Sequence, residues 1–450
     1  MRHRLARADC MMPSLDPGPT STLLQRVSSR SAMFAMRCLG ILLFVIAADS
    51  LHGEEVSSWP QFRGPDGQGR LTDVSLPRKW SEEEGIRWRT ALQGLGHSTP
   101  VHDGQTIWLT TATADGSNLG VQSLDAETGE LLEQIVLFTP SQRDPVHSTN
   151  SYASPSPVLH DGRLYVHYGT YGTACLDTRS SEVLWKNDSF RIEHQGGPGS
   201  SPVLHNGRLF LSLDGAVAPE FVALDAETGD VCWRAPRPDP LPPHHPANRA
   251  FSTPLIVEYQ GAEQLISVAA NQAIAYCPET GAELWRVRYE GFSNVPVPVA
   301  DETTCYICTG FYGPKLLAID LSGSGDVTES HVRWKYGRSV SETPSPILLD
   351  GKLYVLSNNG ILTIIDAATG RRCGGCRVGG NHSASPVFAN GLLYYCCEEG
   401  RVKLVDTTLE SPRVVSICPL NGRIMASPAV IGRDLLIRTE GALYRVSGVE

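Results

Sequence analysis

One phrase, repeated about eight times, limits what this chain can fold into. Its first half places Ser and Pro ahead of Val, then a turn, then Leu-Tyr-Val. Its second half is Leu-Asp-Ala-x-Thr-Gly, with Trp four residues further on. The fullest copy runs Ser201-Pro202-Val203-Leu204-His205-Asn206-Gly207-Arg208-Leu209-Phe210-Leu211, then Leu224-Asp225-Ala226-Glu227-Thr228-Gly229-Asp230-Val231-Cys232-Trp233. A unit of this size cannot bury its own faces, so the copies must stack on one another.

Eight first strands can be counted. They open at Ser98-Thr99-Pro100, Ser156-Pro157, Ser201-Pro202, Ser252-Thr253-Pro254, Val295-Pro296-Val297-Pro298, Ser345-Pro346, Ser385-Pro386 and Ser427-Pro428, spaced by 40 to 57 residues. Each full unit reads as four short strands. Asp161-Gly162, Asn206-Gly207, Asp350-Gly351 and Asn390-Gly391 are hairpin turns between the first and second, because these pairs tolerate positive φ. The third strand ends in Leu-Asp, and the Asp can bond the backbone of the turn it opens. The fourth carries Trp185, Trp233, Trp285 or Trp334, while units one, six and seven lack the Trp.

The eighth unit stops after Ala442-Leu443-Tyr444-Arg445-Val446 and has no fourth strand. Ile86-Arg87-Trp88-Arg89 looks like an orphan fourth strand. We therefore expect an all-β, eight-bladed propeller closed by an N-terminal strand that completes the last blade, which removes two exposed sheet edges. The Trp residues are then packing between blades. The expected organisation is a signal peptide with a doubtful N-terminal extension over 1–53, an unrepeated segment over 54–84 and one propeller over 85–450.

Arg37 precedes an apolar run, Leu39 to Ala48, followed by small and polar residues. This is the pattern of a cleaved secretory signal, too short to span a bilayer. We expect translation to start at Met33 or Met36, the mature chain to be exported (periplasmic or extracellular), and no transmembrane segment to remain after cleavage. The net charge is −10 for the whole chain. Residues 1–50 hold six Arg and three acidic residues, so the remainder carries −13. That excludes a nucleic-acid partner, which needs a basic footprint.

The Leu-Asp-x-x-Thr-Gly-x-x-x-Trp units resemble those of the pyrroloquinoline quinone (PQQ) repeat propellers. The opening Trp59-Pro60-Gln61-Phe62-Arg63-Gly64-Pro65 is similar to that of a group of exported bacterial propellers with PQQ-like repeats. The resemblance covers about residues 59–446. It implies an eight-bladed ring shared by two branches: PQQ-dependent alcohol and sugar dehydrogenases, and cofactor-free scaffolds such as the propeller subunit of the outer-membrane protein assembly machine. It implies the fold and leaves the chemistry open.

Candidate site residues lie in the loops that lead into each first strand. His97, His147 with Asn150, His194, Arg249, Asn294, Glu342, His382 and Arg423 each precede one of the eight strands. Convergence of these side chains on a channel mouth would make a polar ligand pocket. The competing reading is that each His satisfies a nearby backbone carbonyl. His244-His245 has no metal-ligand spacing around it. Cys373-Gly374-Gly375-Cys376 is expected to close a local disulfide across a glycine turn. Cys396-Cys397 lies within a second strand, and Cys305 and Cys308 should face opposite sides of one. No Gly-x-Ser-x-Gly elbow and no phosphate loop occur.

The leading expectation is a non-enzymatic binding or assembly scaffold with no cofactor, holding a protein or small-molecule ligand at the funnel. The alternative is a PQQ- and calcium-dependent dehydrogenase of alcohols or sugars, for which the resemblance implies a calcium ion held by acidic and amide oxygens. Glu342, Asn294 and Arg249 have suitable chemistry for it. A third reading is a carbohydrate- or peptide-binding propeller without turnover.

Overall fold

The Leu-Asp-x-x-Thr-Gly half of the repeat is a self-contained turn. In the first unit Asp125 Oδ1 accepts from the main-chain N–H groups of Glu127 (3.0 Å) and Thr128 (2.7 Å). Gly129 closes the turn at φ +74°, its own N–H on the Asp125 carbonyl. The third and fourth strands therefore leave the turn side by side, already in register.

The computed structural model describes residues 56–449, so the expected signal peptide and start site lie outside the described residues. Eight antiparallel sheets of four consecutive strands follow one another in a ring. Blades 1 to 7 span 101–138, 158–187, 203–236, 255–288, 299–336, 347–377 and 387–419. Blade 8 takes three strands from 429–446 and its fourth from Ile86–Ala91, which pairs antiparallel with Ala442–Val446. The expected eight-bladed ring and its closure are thus as observed. A short strand, Gly325–Asp326, adds in parallel to the outer edge of blade 4, and Arg70–Leu71 adds to the inner edge of blade 7.

The core lies between blades rather than at one centre. Seven clusters of buried side chains follow the blade boundaries. At four boundaries the outer-strand Trp docks on the turn of the next blade. Trp88, Trp185, Trp233 and Trp334 donate their indole N–H to the carbonyls of Ala126, Ala226, Pro278 and Ala367, at 3.0 to 3.1 Å. The turn glycine lies flat against the ring: a Cβ on Gly229 would come within 2.5 Å of Trp185. Glycine is required there for its positive φ and for this contact. Between blades 4 and 5 the link is relayed. Trp285 donates to Gln264 Oε1 at 2.8 Å, and Gln264 Nε2 donates to the Leu321 carbonyl at 2.9 Å.

Residues 56–71 form a strap that crosses the later ends of the first strands. It bonds blade 8 through Val56 and Gly432, blade 1 through Trp59 and His102, and blade 2 through Pro60 O and Leu159 N–H. Arg63 reaches blade 6, with Nη2 2.8 Å from the Pro346 carbonyl, and the Gly69 carbonyl accepts from Phe388 of blade 7. Arg63 is fully buried, has φ +63° and no acidic partner in ion-pair contact, and burial pulls its pKa down to about 9.

One expectation is corrected. Residues 372–377 are a continuous strand, not a glycine turn, and Cys373 and Cys376 are free thiols. The adjacent turn at 366–370 already reverses the chain, and the two glycines extend the strand that follows. Cys305 packs with the blade 4–5 cluster and Cys308 with the blade 5–6 cluster, on opposite faces as expected. Cys396 and Cys397 are buried free thiols inside their strand.

Candidate functional site

A Ser or Thr opens seven of the eight first strands, and its hydroxyl ties neighbouring blades together. Thr99 N–H donates to Ser156 Oγ (2.9 Å), Ser156 N–H to Ser201 Oγ (2.9 Å) and Ser201 N–H to Thr253 Oγ1 (3.0 Å). The relay resumes with Val297 N–H on Ser345 Oγ (3.0 Å), Ser345 N–H on Ser385 Oγ (3.0 Å) and Ser385 N–H on Ser427 Oγ (2.8 Å). Thr99 Oγ1 donates to the Ser427 carbonyl at 3.1 Å and completes the circle. The hydroxyl ring breaks at Val297, which has no oxygen to receive the Thr253 N–H.

An axial cavity of about 700 Å³ opens on this ring. Ser156, Ser201, Thr253, Ser385 and Ser427 line it, and Phe62 of the strap enters it from the other end of the first strands. Phe251, Phe311 and Met425 add apolar wall. The volume suits a ligand of drug size.

Five of the nine loop residues named from the sequence meet here: His97, His147, Asn150, Arg249 and Glu342. The other four do not line the cavity. His194 is half-buried beside it, where Nε2 accepts from Thr170 N–H at 3.0 Å and desolvation lowers its pKa to about 4. Asn294 is fully buried, its amide donating to Tyr289 Oη and the Cys308 carbonyl. His382 lies between the carbonyls of Cys396 and Gly379, each 2.9 Å away, so for this residue the carbonyl-satisfying reading holds. Arg423 pairs with Glu398 at 2.6 Å and reaches the cavity only through that carboxylate.

The charges that face the cavity differ in how they are compensated. Glu398 accepts from Arg423 and from Ser383 Oγ at 2.6 Å, so it is neutralised in place. His97 stays neutral: burial, then the nearby Arg438 and Arg423 cations, push its pKa to about 3. Arg249 is fixed by Ser293 Oγ on Nε (2.7 Å), by the Gln195 main-chain and side-chain oxygens on Nη1 (3.2 Å each) and by the Phe292 ring 5.4 Å away. Its contacts hold the guanidinium without a counter-charge. Glu342 is held through its main-chain N–H on Asn358 Oδ1 at 3.0 Å. Its carboxyl makes no hydrogen bond or ion pair among the described residues, and burial raises its pKa. Asn150 is a tie between loops, donating to the Gly196 and Pro198 carbonyls.

Sequence reasoning missed the hydroxyl ring, Phe62, Gln195 and Glu398. The ring had a signal, since its Ser or Thr is the first residue of the repeated phrase. Phe62 lay in the unrepeated segment. Glu398 had none, because it follows a second strand rather than preceding a first one.

A family described as "Outer membrane protein assembly factor BamB" matches residues 78–188, 174–243 and 221–448. Among solved structures, the chain is similar to BamB from Moraxella catarrhalis, with TM-score 0.57 and 13% identity over 80% of this chain and 96% of that one. It is similar to a europium-containing methanol dehydrogenase, with TM-score 0.66 and 12% identity over 89% and 92%. It is also similar to the quinohemoprotein alcohol dehydrogenase from Comamonas testosteroni, with TM-score 0.62 and 12% identity over 90% and 82%. No curated protein matches it in sequence. At these identities the structural likeness carries the fold alone. The family match, running through all eight blades, carries more: the chain belongs to the PQQ-like repeat propeller family described by outer membrane protein assembly factor BamB.

Proposed function

We propose that this chain is an exported propeller that acts as a binding scaffold, taking a ligand or protein partner at its axial cavity without chemical turnover. The observation that carries the reading is the chemistry of the cavity wall. It offers hydroxyls, amides, apolar faces and two uncompensated charges, which are groups for holding a ligand. Its imidazole–hydroxyl contact, His147 Nδ1 with Thr149 Oγ1 at 2.8 Å, has no carboxylate orienting the ring among the described residues, His97 is neutral and of low basicity, and Glu398 is tied to Arg423. Export is supported by the signal-like segment at 37–48. No helix among the described residues is long and apolar enough to cross a membrane.

The dehydrogenase reading needs a quinone and a calcium ion, and the residues present offer few ligands for the calcium. Calcium takes six to eight oxygen ligands, usually with more than one carboxylate. Of the two carboxylates lining the cavity, Glu398 is engaged by Arg423 and Ser383, and Asn294 is buried away from Glu342. Among the described residues no group of three or more His, Cys, Asp or Glu could hold a metal ion. The adjacent Cys396 and Cys397 are inside a strand and do not line the cavity.

The test is a titration of the purified full chain with PQQ and Ca²⁺, following quinone absorbance and dye reduction with alcohols and sugars. The scaffold reading expects no saturable binding at high micromolar PQQ and no dye reduction. Stoichiometric binding with turnover would replace it by the dehydrogenase reading.

A further inference from the structure

We infer that the axial cavity recognises a zwitterionic amino compound, an amino acid or short peptide with both termini free, whose ammonium meets Glu342 and whose carboxylate meets Arg249. This rests on the cavity being a ligand site and goes on to say what class of ligand it takes.

The other carboxylate and its arginine at this site already answer each other. Arg423 lies between Glu398 and Glu440, and His97 carries no charge at neutral pH. Arg249 and Glu342 remain. They come from the loops ahead of blades 4 and 6 and line the same cavity, but the ion pairs of the described residues include neither. Two opposite charges that could cancel each other are instead held apart by separate anchors. Ser293, Gln195 and Phe292 fix the first, and Asn358 fixes the backbone of the second. A charge left partly desolvated without a partner is unfavourable, and a ligand with matching charges at both ends relieves both.

The same two groups argue against the simpler ligands. A neutral sugar would leave both charges unpaired while removing water from them. A dianion would be attracted by Arg249 and repelled by Glu342. A cation alone would do the reverse. Discrimination of this kind, by penalties against the wrong partner, is how a site built from two signs selects a dipolar ligand. Between the charges, Phe62, Phe251, Phe311 and Met425 offer apolar surface for a side chain, and the ring hydroxyls of Ser156, Ser201 and Thr253 face peptide amides.

The test uses calorimetry on the full chain with the tripeptide Ala-Phe-Ala in three forms: both ends free, N-acetylated and C-amidated. Binding of the free form is expected, weakened about tenfold or more by either cap. Glu342→Gln should weaken the free form and erase the penalty for acetylation only. Arg249→Gln should erase the penalty for amidation only, and Arg249→Lys should restore it, which separates charge from loop packing. Equal binding of all three forms, or none by any, overturns the inference. A neutral oligosaccharide probe titrated in parallel separates the two readings. If it binds in the cavity and the peptides do not, the ligand class is wrong and the binding-site reading survives. If PQQ with Ca²⁺ binds and turns over instead, both fail.

Discussion

The two ends of the central channel are built in opposite ways. At one end a single segment, residues 56–71, lies across the first strands of five blades and places Trp59 and Arg63 in full burial. Its bonds are mostly main-chain to main-chain, and its buried charged anchor, Arg63, donates to three carbonyls, those of Gly67, Gln68 and Pro346. At the other end eight separate loops meet around open volume. Their tips are polar, and two of their charges lack counter-charges. Closure is done by backbone and buried rings, and the open end is lined by side chains on loops. A scaffold of the proposed kind, shut on one face and selective on the other, would use this division.

Acid should separate the two ends most. Burial holds His97 and His167 at pKa values of about 3, and His102 and His194 at about 4. The unfolded chain protonates these rings near pH 6.5. Between those values the unfolded state binds more protons, so stability falls as pH falls from about 6.5 toward 3 to 4, by several kcal/mol in all. His97 and His194 belong to the mouth and His102 to the strap side, where its Nε2 faces the Val430 carbonyl at 2.7 Å. Hydrogen exchange as a function of pH should therefore show loops 93–97 and 190–199 opening before the strap. Uniform opening, or none above pH 4, would contradict the comparison.

Next in size is the strap anchor. Trp59→Ala should lower stability by about 3–5 kcal/mol in denaturant unfolding, as for other buried aromatic truncations. A loss under about 1 kcal/mol would make the strap an accessory rather than a closure. The smallest expected effect is a repair. Val297→Thr supplies the hydroxyl missing from the ring and should add about 0.5–1.5 kcal/mol, one net hydrogen bond. A destabilisation there would show that the buried Val297 methyls contribute more by packing than the missing hydrogen bond would.

The fold was legible because each copy of the phrase carries its own turn and its own docking surface. Asp125 and Gly129 set a turn, Trp88 finds it, and the orphan strand at 86–91 had to belong to the blade that lacked one. The site was legible only in part. Position before a first strand put His97, His147, Asn150, Arg249 and Glu342 at the cavity. It does not say whether a side chain turns in or back: His194 turns back onto Thr170, Asn294 onto Tyr289 and Cys308, and His382 onto Cys396 and Gly379. The hydroxyl ring was hidden by repetition: a residue that recurs in seven of eight copies reads as structure, yet five of those residues also form cavity wall. For Cys373 and Cys376 a glycine pair suggested a turn where the preceding Thr369-Gly370 had already made it.

The pairing of Ile86–Ala91 with Ala442–Val446 also has a meaning in time. Arg89 and its hydrogen-bond partner Tyr444 are 355 residues apart. At about 5–20 residues per second of synthesis, the early strand waits roughly 20–70 s for its mate. Until then its edge and the unfinished last blade can pair with other chains. Loss of even the last strand would leave the edge of Ile86–Ala91 permanently unpaired.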